Sequence, residues 1–239
     1  MNLASYFLPV RSWFVIAALV GGLPALCPVA SAHGLSSKDA QFMQTVNGTA
    51  ITPLLYLGAK HMVTGYDHLL FLVGVIFFLY RLKDILLYVS LFTVGHSATL
   101  LAGALGGIHV NPFLIDAIIG LSIVYKGFEN MGGFRRFLGF QPNTRIAVLV
   151  FGLFHGFGLA TKLQEFKLSR NGLVENIVSF NVGVELGQLL ALTAVLIGLT
   201  YWRGHAGYLK HAYATNALLM TAGFVLAGYQ LTGYFVSAQ

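Results

Sequence analysis

The chain has 239 residues, of which 56% are hydrophobic and only 9% charged, with a formal net charge of +6. A soluble domain carries roughly a quarter charged residues, so this composition excludes an ordinary water-soluble fold and calls for lipid. The 14 Lys and Arg are dispersed over short polar connectors, the pattern of membrane topology signals and not of a nucleic-acid surface.

Residues 1–32 read as a secretory signal peptide. Arg11 precedes an apolar run over 13–26, Pro24 and Pro28 break any helix there, and Ala30, Ser31 and Ala32 supply a small-residue cleavage site. The mature chain then begins at His33; an uncleaved seventh helix is the alternative. Cys27 is the only cysteine. Cleavage therefore leaves no thiol, which excludes disulfides, thiolate metal sites and cysteine nucleophiles from the mature protein.

A short segment over 33–51 precedes a membrane domain over 52–239. Apolar stretches recur there at 52–79, 84–106, 112–130, 145–162, 172–200 and 211–233, each near the roughly 20 residues a crossing takes. Connectors with turn and charge signals separate them, at Arg81 and Lys83, Asn111 and Pro112, Arg135 and Arg136, Asn171 and Gly172, and Arg203 and Gly204. The expected fold is all-α: a polytopic bundle of six transmembrane helices after a signal peptide, in a bacterial inner membrane. Placing the mature N-terminus outside, in the periplasm, puts Arg81, Lys83, Arg135, Arg136, Arg145, Arg203 and Lys210 in the cytoplasm, against Lys38, Lys60, Lys162, Lys167 and Arg170 outside. Residues 162–170, with apolar Leu163, Phe166 and Leu168, read as an outside interfacial helix.

A charge at mid-bilayer costs roughly 2.5 to 3.5 kcal/mol on insertion scales, so ionisable residues inside the spans are functional candidates. On the first span His61 and His68 stand seven residues apart, nearly eclipsed on a continuous helix, with Asp67 about a third of a turn aside. There Asp67 completes a metal shell or fixes an imidazole tautomer. Lys60 beside them is expected to snorkel outward. The second span carries His96 among small residues, and its Phe92-Thr93-Val94-Gly95-His96 faintly echoes 151–155 on the fourth span, where His155 sits.

The third span holds Asp116 in its early turns, where the helix dipole favours a carboxylate, and Lys126 and Glu129 at pairing distance. On the fifth span Asn181, Glu185 and Gln188 form a polar stripe beside Gly183 and Gly187, whose four-residue spacing also suits close helix packing. At about 1.5 Å of rise per residue, Asp67, His68, His96, His155 and Glu185 fall near one plane.

Imidazoles and carboxylates without thiolate suit a borderline divalent ion (nickel, cobalt, zinc or iron) and argue against copper(I); ligand type alone does not choose among the four. Candidate metal-binding residues are His61, Asp67, His68, His96, His155, Asn181 and Glu185, the ion being a substrate and not a resident cofactor. The motifs His61-x5-Asp67-His68 with Gly65, Phe92-Thr93-x-x-His96-Ser97, Phe151-Gly152-x-x-His155-Gly156 and Asn181-x-Gly183-x-Glu185-x-Gly187-Gln188 together resemble the HupE/UreJ family of membrane proteins. The resemblance spans roughly 57–188. It implies about six helices behind a secretory signal, uptake of nickel or cobalt, and a metal signature at His61, Asp67 and His68. Met62 stands where that family commonly has a proline, which places the chain nearer a second branch with a less defined substrate.

Three function classes follow: a permease, an intramembrane metal-dependent hydrolase, and a non-transporting metal-binding accessory protein. The permease leads and an enzyme is not expected, because polar groups lie above and below the midplane as along a path, with no serine partner or water-exposed catalytic loop in view. The expected partners are the bilayer and the ion, with a homo-oligomer left open.

Overall fold

The computed structural model describes residues 37–165 and 171–237. The expected signal peptide, its cleavage site and Cys27 lie outside the described residues. Nine helices follow one another among those described: α1 (Ser37–Thr45), α2 (Ile51–Thr64), α3 (Tyr66–Ile76), α4 (Leu82–Gly106), α5 (Pro112–Asn130), α6 (Gly133–Leu138), α7 (Thr144–Glu165), α8 (Leu173–Arg203) and α9 (Tyr208–Ser237). The described chain is all-helical, as expected. Four helices, α4, α7, α8 and α9, are long and apolar enough to cross a membrane by themselves. α5 has 19 residues but includes Asp116, Lys126 and Glu129.

The first expected span is not one helix. Gly65 takes φ −74° and ψ 103°, an extended value that breaks the helical path between α2 and α3. Its N–H still closes on the His61 carbonyl at 2.8 Å, and its own carbonyl accepts from Leu69 at 3.1 Å, so the break is confined to one turn. A side chain at Gly65 would meet the His61 carbonyl at 3.0 Å and His68 Nδ1 at 3.0 Å. The eclipsed His61 and His68 of a continuous helix are therefore replaced by two residues on separate half-helices. The expected interfacial helix over 162–170 is also revised: α7 runs on through Glu165, and 166–170 lie outside the described residues.

Glycines seat three helix pairs. α2 lies on α8, where a Cβ on Gly58 would come within 2.0 Å of the Phe180 carbonyl oxygen, and one on Gly183 within 2.0 Å of that of Leu55. α4 lies on α7 through Gly95, Gly152 and Gly156, and α5 on α9 through Gly120, Gly127 and Gly223. Backbones this close leave no room for any side chain, and small residues at helix interfaces are the usual means of association in lipid.

The contacts also fix directions. Along α2 and α8 the numbers rise together, Leu55 facing Gly183 and Ala59 facing Gly187, and along α4 and α7 likewise, Phe92 facing Gly152 and Gly103 facing Ala160. Those pairs are parallel. α5 and α9 are antiparallel, with Gly120 facing Ala227 and Gly127 facing Asn216. First with fifth and second with fourth parallel, third with sixth antiparallel, is the pattern that six successive crossings require.

Charges in the spans are mostly engaged. Lys60 pairs with Asp39 of α1 at 2.7 Å, so it neither joins the candidate site nor simply snorkels. Lys162 pairs with Asp116 at 3.1 Å, and Lys126 with Glu129 at 2.5 Å. Arg203 donates to the carbonyls of Ile76 and Phe77, capping the end of α3.

Candidate functional site

The helix break sets up the site. α3 begins at Tyr66, so Asp67 and His68 occupy its first turn, where backbone N–H groups lack helical partners and a carboxylate is favoured. Asp67 Oδ1 accepts from the His68 backbone N–H at 2.8 Å and lies 2.8 Å from His68 Nδ1. A carboxylate can only accept, so Nδ1 carries the proton, and Nε2 is the nitrogen whose lone pair can face a metal. This is the carboxylate–imidazole arrangement that orients metal-binding histidines.

His155 is prepared in the same sense by a different group. Its Nδ1 lies 2.7 Å from the Phe151 carbonyl one turn earlier in α7, which again leaves Nε2 as the bare nitrogen. His61, His68, His96 and His155 are all buried, none more than 3% exposed. The Nε2 atoms of His68, His96 and His155 are buried with no hydrogen-bond partner. Leaving a buried polar atom unpaired costs about 1–3 kcal/mol, and three such nitrogens lie in this one cluster.

His68 is the hub of the cluster. Its ring centroid lies 5.1 Å from that of His61, 5.1 Å from that of His155 and 5.8 Å from that of His96. Two imidazoles sharing an ion with metal–nitrogen bonds of about 2.1 Å would have centroids about 5 Å apart. Each pair through His68 is thus near the spacing of two ligands on one ion. Among the described residues no three His, Asp or Glu side chains form a group ready to hold a metal as they stand. The arrangement is a set of neighbours around His68 and not a closed cage. Phe92 packs on both His96 and His155, with ring centroids 5.9 and 5.0 Å from theirs.

The remaining predicted residues fall on an adjoining hydrogen-bonded set. Glu185 Oε1 accepts from Ser97 Oγ at 3.1 Å and from Asn181 Nδ2 at 3.2 Å, joining α8 to α4 beside His96. Asn181 Oδ1 is buried and unpaired. Gln188, read from sequence only as part of a stripe, donates to Thr93 at 2.8 Å and shares with His68 a cavity of about 10 Å³, room for about one water. Leu72, Val75, Tyr88 and Val89 carry that cavity toward the α3–α4 connection. Sequence spacing could place Gln188 on the face of Glu185, but only the packing of α3 against α8 brings it to His68.

The sequence profile described as HupE / UreJ protein matches residues 37–238, nearly all of the chain beyond the expected signal peptide. No curated protein and no solved structure gives a match.

Proposed function

The chain belongs to the HupE/UreJ protein family, and from that premise we propose that it is a permease carrying a divalent transition-metal ion across the membrane through the imidazoles around His68. Nickel is the first candidate and cobalt the second, by association with the family; zinc and iron share the ligand preference. The observation that carries the reading is the trio of buried, unpartnered Nε2 atoms on His68, His96 and His155, two of them with their opposite nitrogens held so that the lone pair is presented.

The open arrangement suits passage. A resident metal wants three or four ligands preset around it, which holds the ion tightly. Pairwise neighbours let an ion be taken up by one pair and released by the next. A site formed where a membrane helix is broken is a recurrent transporter device, and here α2 supplies His61 and α3 supplies Asp67 and His68. In the inner membrane, with α2 starting on the periplasmic face, an entering divalent ion gains about 2 × 2.3, or roughly 4.6 kcal/mol per 100 mV of inside-negative potential, so uptake needs no other energy source.

Flux measured with purified protein in liposomes tests this reading. Saturable nickel or cobalt entry that rises with an imposed inside-negative potential is expected. Saturable binding in detergent without any flux would instead make the protein a metal-binding accessory.

A further inference from the structure

The three tight helix pairs obey one symmetry. Let α2–α3, α4 and α5 form a first half and α7, α8 and α9 a second. Contacts then recur with the halves exchanged. Gly183 packs on the Leu55 carbonyl (2.0 Å for an added Cβ) as Gly95 does on that of Leu149 (2.5 Å). Gly58 packs on the Phe180 carbonyl (2.0 Å) as Gly152 does on that of Phe92 (2.5 Å). The Ala59 carbonyl faces Gly187 as the Leu153 carbonyl faces Thr99, whose hydroxyl donates to it at 2.7 Å.

Sequence agrees where the contacts put it. Leu55-x-x-Gly58-x-x-His61 corresponds to Leu149-x-x-Gly152-x-x-His155, and Phe92-Thr93-Val94-Gly95 to Phe180-Asn181-Val182-Gly183. The second span's counterpart is thus the fifth, not the fourth as the faint echo of Phe92 to His96 suggested. On α5 and α9, Gly120 meets Ala227 as Gly223 meets Val124, and Asn130 bonds Asn216 where Phe113 packs on Gly233. Two contacts join a residue to its own counterpart, Gly120 to Gly223 and Ser97 to Glu185, and these mark the axis. Because the self-paired helices α5 and α9 are antiparallel, the axis lies in the membrane plane and exchanges its two faces.

We propose that this inverted repeat makes His61 and His155 the same ligand on opposite faces, each exchanging the metal ion with the shared central His68. Both rings stand 5.1 Å from His68, and each packs on a counterpart phenylalanine, His61 on Phe180 at 6.3 Å and His155 on Phe92 at 5.0 Å. His68 has no histidine counterpart, since the corresponding residue is Lys162, so one central imidazole serves both faces. Folds built from inverted repeats open to either side by exchanging the conformations of their halves around such a midplane site. His61 then loads the ion from the face where α2 begins, and His155 from the face where α7 begins. The inference rests on the permease reading above.

Right-side-out and inverted membrane vesicles, with nickel as the probe, separate the two residues. His61→Gln should raise half-saturating nickel about tenfold when nickel is offered at the face where α2 begins, and leave the other face unchanged. His155→Gln should give the mirror image. Each position is also tested as Asn, so that one variant lost to misfolding leaves another to report. Shifts on the same face for both residues, or on neither, overturn the assignment while wild-type flux stands. Absence of wild-type flux in both vesicle orientations overturns the permease reading, and the assignment falls with it.

Discussion

Two buried polar clusters sit in this bundle, and they are built differently. Around Glu129, Lys126 pairs with one carboxylate oxygen at 2.5 Å while Gln141 and Thr144 donate to the other, and Asn130 bridges the Gly74 carbonyl and Asn216 at 2.8 Å each. Of that neighbourhood, the Tyr125 hydroxyl alone is buried without a partner. Around His68, by contrast, three ring nitrogens are left without partners while the nitrogens opposite two of them are carefully held. Polarity inside a membrane is costly in both places. The satisfied cluster ties helices together; the unsatisfied one, on the permease reading proposed above, is left for the arriving ion.

Substitutions sharpen that contrast. Lys126→Met should have the largest effect on the fold, because it strands a buried carboxylate; breaking such a pair costs about 3–5 kcal/mol. Thermal unfolding in detergent should fall sharply, while the surviving folded fraction binds nickel with wild-type affinity. Asp67→Asn should act the other way: metal affinity measured by calorimetry drops about 10–100-fold, as for other groups that orient a ligating imidazole, with a small change in unfolding temperature. His155→Gln keeps most of the buried volume but loses the hydrogen bond to the Phe151 carbonyl, and should cost about 1 kcal/mol of stability, yet weaken metal binding well beyond that. Lys60→Met is the smallest change. Its pair with Asp39 is partly exposed, the Lys60 side chain being 31% accessible, so the expected cost is under about 1 kcal/mol, with no effect on metal affinity. If Lys126→Met abolished metal binding and Asp67→Asn unfolded the protein, the two clusters would have exchanged roles.

Much of this was legible in the chain. Composition and apolar run length gave a helical membrane bundle, and the rarity of ionisable groups inside spans pointed to His61, Asp67, His68, His96 and His155. Lys126 and Glu129 were readable as a pair because i and i+3 share a helix face. What escaped was whatever depends on a neighbour. Periodicity assumes a continuous helix, so the break at Gly65 was invisible, and with it the handing of Asp67 and His68 to a separate half-helix. Glu185 was expected at the depth of the histidines, but depth does not say which way a helix faces, and Glu185 accepts from Ser97 and Asn181. Asp39 lies 21 residues before Lys60, and no local rule links them. The repeat was hidden because its halves share few identities; the paired glycine contacts disclose it.

On the permease reading proposed above, every ion that crosses passes His68. Nickel entry into liposomes at a fixed inside-negative potential, compared for wild-type protein and His68→Ala at matched amounts of folded, monodisperse protein, tests it most directly. Saturable entry is expected for the wild type, and a loss of at least about a hundredfold for the variant. Entry at the wild-type rate through His68→Ala would contradict it and leave the imidazole cluster a structural feature of the bundle.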